Sequence, residues 1–495
     1  NISETTLSEI ELVKLLSVRN KGKNVSLPKF EIKDEEIQEE ITAAQINENI
    51  EDIESAKVLT KMMCQERSDN RSSWIEVGLC LHNISKSLLE DWKEFSRKSV
   101  KYQGKECEKK WESFGREKNV RKLTIASLNM WARIDSPHQY FESKRNESFS
   151  ELTRSIDCTH YRVTKVLHTK YKYRFVCSSV KKDVFYEFSN HRWKLMDNAS
   201  ELRKLISTEL RDDYFRLSGY YKRKALANSD ESQEYQEYHK KAEKCIAKME
   251  DRVFKDNVIK ECKDLFRWSN FEERLDGNLN LIGFENGIYD LKTYEFRDGC
   301  PDDMITFSTQ IDFLPEETND DMNEFLRQIL PNTALRDYVL KLIASFLSGK
   351  TKDQNFHIWT GSGGNGKSKF LELIEMVFGD YTSKAPVTLL TGKRPNADNA
   401  SPVITSTRGK RLLSFQEPEH EDRIKVGYMK ELSGGDEITA RPLFKDVFKF
   451  RPQFKMVLMC NDLPHIPSDD HGTWRRIRVV HFESKFVTNP TAANE

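Results

Sequence analysis

The run Gly361-Ser-Gly-Gly-Asn-Gly-Lys-Ser368 constrains this chain more than any other stretch. It has the spacing G-x-x-x-x-G-K-[ST], with apolar Phe356, Ile358 and Trp359 before it and a helix-period segment, 369–378, after it. Strand, glycine loop and helix in that order are what a phosphate-cradling turn needs. The glycines let backbone N–H groups converge, and the helix start adds partial positive charge. Gly361, Ser362, Gly363, Gly364, Asn365, Gly366, Lys367 and Ser368 are therefore the candidate nucleotide-binding residues. Lys367 is expected at the β- and γ-phosphates and the Ser368 hydroxyl at Mg²⁺. A chance match in a Gly/Ser surface turn is the alternative, and the flanking strand and helix speak against it. The expected ligand is a nucleoside triphosphate.

A chain of 495 residues exceeds one domain, and its length suggests roughly three or four. Charged residues make up 32% against 37% hydrophobic, well clear of a disordered composition. No run of eighteen apolar residues occurs, so no membrane-spanning helix is expected. The start, Asn1-Ile-Ser-Glu-Thr-Thr, carries neither an initiator methionine nor a signal peptide, and the chain is expected to be a piece of something longer. Nine cysteines without a C-x-x-C pair fit free thiols in a reducing, intracellular compartment. With 79 basic and 79 acidic residues, any nucleic-acid role must rest on local patches.

Residues 1–58 read as an amino-terminal helix (6–16, opened by a Thr6/Glu9 capping box) and an acidic linker. Residues 59–140 read as a small helical domain whose tryptophans, Trp74, Trp92, Trp111 and Trp131, suit a core better than a ligand stack. Residues 141–315 read as an α+β domain. In it, 161–167, 171–177 and 184–188 alternate like strands, and Arg162, Lys165, Lys170, Lys172, Arg174, Lys181 and Lys182 sit beside aromatic rings. A half-exposed antiparallel sheet explains that pattern, and so does a nucleic-acid track. A long charged helix over 232–268 and a hairpin around 283–296 are expected to complete the domain. Residues 316–350 give two helical stretches broken at Pro331, a collar where subunits can meet, and 351–495 hold the glycine loop.

Downstream, Arg411–Phe415 is an apolar strand ending at Gln416-Glu417-Pro-Glu419. An acid at the carboxyl end of a strand neighbouring the loop holds Mg²⁺ and polarises the attacking water, which makes Glu417 the candidate base and metal ligand beside Ser368, with Glu419 assisting the metal. The buried run 454–460 ends at Asn461, whose amide suits a γ-phosphate or the water. Residues 436–450 read as two strands about a tip near 444–446. Arg475 and Arg476 precede a last strand and offer guanidinium groups for transition-state charge.

Gly361–Ser368, Gln416-Glu417, Lys430-Glu-Leu-Ser-Gly-Gly-Asp436, the strand to Asn461 and Trp474-Arg-Arg-Ile477 resemble, in order and spacing, the superfamily 3 helicases, and among them the poxvirus-type primase–helicases of large DNA viruses, phages and plasmids. The segment Glu285–Leu291 resembles the domain that precedes the helicase in that family, and Trp74–Trp131 the helical module after the primase catalytic domain. That catalytic domain is not expected within this piece, since nothing before residue 59 offers a D-x-D on a strand. The resemblance implies a multidomain α/β chain: a P-loop, AAA+-like ATPase with a helical collar, its carboxyl terminus truncated, behind an α+β domain and a small helical domain. It implies ATP and Mg²⁺, a homo-hexameric ring on single-stranded or forked DNA, and an ATP-dependent replicative helicase. The implied setting is an infected cell's cytoplasm or nucleus, with a primase domain and other replication proteins as partners. Lys367, Glu417 and Asn461 match the phosphate loop, catalytic acid and sensor. Arg475 or Arg476 matches the trans-acting arginine, and Phe444, Lys445 and Lys449 the channel-facing DNA hairpin. An ATP-switched DNA-loading or scaffold protein without processive unwinding is the alternative function.

Overall fold

The computed structural model describes residues 50–114, 123–227, 231–315, 319–392, 400–419, 422–443, 447–468 and 470–488. The expected helix at 6–16, nearly all of the acidic linker, and the hairpin-tip residues Phe444 and Lys445 lie outside the described residues. The chain forms two compact units. Among the described residues, one holds those between 50 and 275 with 299–306; the other holds 276–298 and those between 307 and 488.

The first unit opens with the helices Ile50–Lys61, Gln65–Asp69, Arg71–Ile84, Leu89–Ser96, Gly104–Phe114 and Ile125–Asp135. Asn70 starts the third by accepting from the Ser72 and Ser73 amides. The tryptophans form a core. Trp92 is fully buried, stacks on Trp74 at 4.6 Å and meets Trp111 at 5.5 Å. Gly78 makes this possible, because a Cβ there would lie 2.4 Å from the Trp92 ring.

Pro137–Arg154 and His160–Tyr171 follow as helices. The strand expected over 161–167 is thus a helix. Val163, Val166 and Leu167 form its buried face at helical spacing, and Thr164 Oγ1 reaches Val258 O on the helix Arg252–Leu265. Packing overrode β-branched propensity here. Within 171–177 only the end is strand. β1 (Phe175–Ser179), β2 (Val184–Ser189) and β3 (Arg192–Met196) form an antiparallel sheet, and Arg174 clamps Glu187 at 2.6 and 2.9 Å. The expected 232–268 helix is two, Ser232–Glu250 and Arg252–Leu265, split where the Asp251 carboxylate caps the second by accepting from Phe254 N.

The second unit begins with an antiparallel meander, β4 (Leu281–Phe284), β5 (Gly287–Asp290) and β6 (Glu295–Arg297). The hairpin assigned on sequence to the middle domain therefore clusters with the carboxyl-terminal half. Fully buried Arg411 ties it there, donating to Asn278 O at 2.8 Å and to Gln453 Oε1 at 2.7 Å. Two helices, Asp320–Ile329 and Thr333–Phe346, flank Pro331 as expected.

The remaining strands are β7 (Phe356–Thr360), β8 (Thr382–Ala385), β9 (Leu412–Gln416), β10 (Ile438–Ala440), β11 (Phe448–Phe450), β12 (Lys455–Met459) and β13 (Ile477–His481). β10 and β11 pair antiparallel, with Ala440 opposite Phe448. The other five form an all-parallel sheet in the order β13-β7-β12-β9-β8. Such a sheet is covered on both faces, and its inner strands read as continuous apolar runs. On one face Trp359 stacks against Phe370 of the helix Lys367–Phe378, and it also meets Phe482. The chain is thus mixed α/β with a parallel sheet. All nine cysteines are free, eight of them buried. Among the described residues no helix is long and apolar enough to cross a membrane.

Candidate functional site

β7, β12 and β9 are adjacent and run the same way, so the segments leaving their carboxyl ends meet at one edge. Open parallel sheets bind ligands at that edge. From β7 comes the glycine loop. Gly363, Gly364 and Gly366 take φ of +82°, +63° and +77°, a region that side chains avoid, and Gly366 stands immediately before the helix Lys367–Phe378. The loop is held from outside by Phe486 N, which donates to Gly364 O at 2.7 Å.

Lys367 turns back under this loop and is 4% exposed. Its ammonium donates to Gly361 O at 3.3 Å, Cys460 O at 2.9 Å and Asn461 Oδ1 at 3.1 Å. All three acceptors are neutral. Burial lowers the lysine's pKa, opposed by the nearby Cys460 and Glu417. Asn461, just past β12, is fixed by Thr360 Oγ1, which donates to its carbonyl at 2.7 Å. The other end of its amide, Nδ2, donates to Glu417 Oε1 at 2.8 Å. Glu417, just past β9, is exposed to solvent. The three residues are thereby joined in one hydrogen-bonded chain drawn from three strand ends.

Asn365 is 3% exposed; its Oδ1 accepts from Lys367 N at 3.3 Å, and its Nδ2 is buried without a partner. A cation shut among neutral oxygens, an orphaned buried N–H donor and left-handed glycine amides at a helix start together suit an anion, specifically a polyphosphate. Ser368 lies exposed in the first helical turn, next to Lys367 in the chain, and Glu417 is exposed past β9. Gln416 closes β9 opposite Met459 with its side chain exposed, while Glu419 N donates to Asp422 within its own turn. Among the described residues no cluster of three or more His, Cys, Asp or Glu side chains is arranged to hold a metal alone. A magnesium ion bound chiefly through phosphate oxygens and water needs only one or two protein oxygens, and Ser368 with Glu417 suits that requirement.

Arg475 and Arg476 stand apart from this constellation. They precede β13, whose first residue Ile477 pairs with Phe356, the first of β7, whereas the glycine loop follows Thr360, the last. Five strand residues, about 16 Å, separate the two ends. Both guanidinium groups donate to Gln354 Oε1, Arg476 at 2.9 Å, and Arg476 also bonds Gly472 O at 2.6 Å. Arg475 makes the single bond. Lys449 on β11 faces Glu437 at 3.2 Å across the β10–β11 pair. Gln354 was invisible to sequence reasoning: a glutamine ahead of a strand carries no signal until the arginines are seen to converge on it.

Three family models match in succession: "Primase C terminal 2 (PriCT-2)" over 56–132, "D5 N terminal like" over 164–331 and a "Family of unknown function (DUF5906)" over 359–476. Protein L207/L206 of Acanthamoeba polyphaga mimivirus, whose name proposes a helicase, is 39% identical across 90% of this chain and 47% of its own length. Protein 184R of Invertebrate iridescent virus 6, also named for a proposed helicase, is 28% identical across 98% and 57%. Protein C962R of African swine fever virus, whose name proposes a primase, is 27% identical across 85% and 47%. The chain spans about half the length of these curated relatives. An apo structure of the NrS-1 C-terminal region is 11% identical over 60% of this chain and 56% of its own, with a TM-score of 0.33, too low to inform the fold.

Proposed function

Because the chain belongs to the D5-type primase–helicase family of large DNA viruses, we propose that its second unit is a P-loop, superfamily 3-type ATPase that drives a replicative DNA helicase. On this reading 59–140 is the primase-associated module, 316–350 the collar and 351–495 the motor, acting in the infected cell beside a primase domain and other replication proteins. The observation that carries the proposal is the Lys367–Asn461–Glu417 chain under a left-handed glycine loop. Phosphate binding, sensing and water activation each require one of those groups, and the fold delivers all three to one edge.

ATP would lie along the loop with its β- and γ-phosphates against Lys367 Nζ and the amides of residues 363–368. Ser368 and Glu417 would hold magnesium, which would supply charge neutralisation when bound. Glu417 takes the proton of the attacking water. Asn461 holds that carboxylate and turns its own oxygen to Lys367, so an anion drawing Lys367 forward shifts the Asn461–Glu417 bond with it. The arginines stand at the far end of the same sheet and cannot serve their own loop. Arg475, whose guanidinium is held by one bond, is the better trans-acting group; the Arg476 guanidinium is anchored twice. A ring of six copies supplies each loop with a neighbour's guanidinium, and in related phosphoryl-transfer enzymes such a group is worth about 10³–10⁵ in rate. Phe444, Lys445 and Lys449 would meet the DNA backbone at the β10–β11 hairpin.

Steady-state ATPase assays with and without DNA, alongside displacement of a labelled strand from a fork, test the proposal. DNA-stimulated hydrolysis with strand release is the expected result. Hydrolysis without release would favour the DNA-loading scaffold, and no ATP turnover at all would sink the proposal.

A further inference from the structure

Gln354 sits in the turn before β7 with φ +52°, a conformation rare for a residue with a side chain and kept only where surroundings enforce it. Its amide is divided between two partners. Oε1 accepts from both Arg475 Nη2 and Arg476 Nη2, and Nε2 donates to Gly434 O at 3.1 Å. Gly434 ends the helix Val426–Gly434; left-handed Gly435 follows, and then β10, the first strand of the hairpin. One small side chain thus joins the arginine turn to the hairpin base.

A second tie runs in parallel. Lys430, one turn earlier on that helix, pairs with Asp470. The Asp470 carboxylate caps the short helix His471–Trp474 by accepting from Gly472 N and Thr473 Oγ1, both at 2.9 Å, and Arg475 is the next residue. The arginine turn is therefore fastened at two points to the end of a helix whose next element is the hairpin.

The choice of an amide matters. Two guanidinium groups side by side repel, and a neutral oxygen can gather both without cancelling the charge that a neighbour's phosphate needs. A carboxylate there would hold them more tightly and neutralise one. The same side chain must also donate to Gly434, which a carboxylate cannot do.

We propose that Gln354 is a positioning residue that couples the hairpin to the arginine pair: it sets where the guanidinium is presented to the adjoining copy, and load on the hairpin reaches it through Gly434. The inference rests on the ATPase reading above and adds to it the route by which DNA raises turnover. Gln354 touches no nucleotide of its own subunit, since it lies at the end of β7 opposite the glycine loop.

The test compares the full chain with its Gln354→Ala and Gln354→Glu variants, measuring kcat and KM for ATP with and without a single-stranded oligonucleotide, and binding of a fluorescent ATP analogue. Loss of arginine placement should lower kcat of Gln354→Ala by about 10–100-fold, with KM and analogue binding close to wild type. Gln354→Glu keeps an acceptor for the arginines and loses the donor to Gly434. It should recover part of the kcat and still show little response to DNA. A wild-type chain stimulated by DNA beside a Gln354→Ala chain stimulated equally would overturn the coupling and leave the ATPase reading standing. Variants that lose analogue binding along with kcat would overturn it too, by showing a merely structural role. A wild-type chain inert toward ATP overturns both.

Discussion

Asn461 donates its amide proton to Glu417 Oε1 at 2.8 Å while its oxygen accepts from the buried ammonium of Lys367. One side chain therefore orients the carboxylate and balances the lysine. Replacing it by alanine leaves Glu417 free to rotate into solvent and removes one of the three oxygens around Lys367. Asn461→Ala should lower kcat for ATP about 10²-fold, the usual loss for a misplaced catalytic group. The nucleotide Kd should change far less, which a side-by-side turnover and binding titration would reveal. Equal losses in both would mean that Asn461 merely holds the loop together.

Lys367→Ala removes the buried cation beneath the glycine loop. The carbonyls of Gly361 and Cys460 would then face an incoming phosphate with no intervening charge. Hydrolysis should fall below detection and affinity for ATP should drop at least about tenfold, a loss equivalent to one charge-assisted contact. Calorimetric titration with ATP and Mg²⁺ measures it.

Two loop glycines separate strain from crowding. At Gly363 (φ +82°) a Cβ would meet nothing within 4 Å, whereas at Gly366 (φ +77°) it would come within 2.9 Å of both Ile329 Cγ1 and the Phe486 ring. Gly363→Ala should cost about 1–2 kcal/mol of stability from the left-handed backbone alone. Gly366→Ala adds overlap and should cost about 2–4 kcal/mol in total. Denaturant midpoints of the two variants check the order.

His357, on β7 and 1% exposed, is kept neutral by burial, with Arg478 and Lys455 pushing the same way, so that its pKa is lowered to about 3. Between pH 6.5 and about 3 the unfolded chain binds a proton that the folded chain refuses. Stability is therefore present above 6.5 and falls as pH falls, by roughly 1.4 kcal/mol per unit from this group. His357→Phe should show a shallower drop in melting temperature between pH 7 and pH 5 than the wild-type chain. Parallel slopes would exclude His357 as the source.

Much of the candidate site was legible because its parts are local. A glycine loop needs glycines at set spacings, and a buried strand of five residues that stops at an acid or amide marks its own carboxyl end, which is how Glu417 and Asn461 were found. The tryptophan-rich helices were legible for the same reason, since Leu88, Trp92 and Phe95 recur at helical spacing and all are buried. Long-range facts left no such mark. Val163, Val166 and Leu167 fit an alternating strand as well as a helix face, and only packing against Val258 decides. The Asp251 cap hides inside a charge-rich run, and nothing near Gln354 announces two arginines arriving from more than a hundred residues away.

The opposition between the two ends of the parallel sheet carries a geometric consequence. On the proposed reading, a chain that receives at one end of its sheet and gives at the other suits head-to-tail contacts, and any open row of that kind leaves one member unsupplied. Under the proposed chemistry such a row has to close on itself before every site can fire, so turnover per molecule should climb steeply with concentration and level off only once closure is complete.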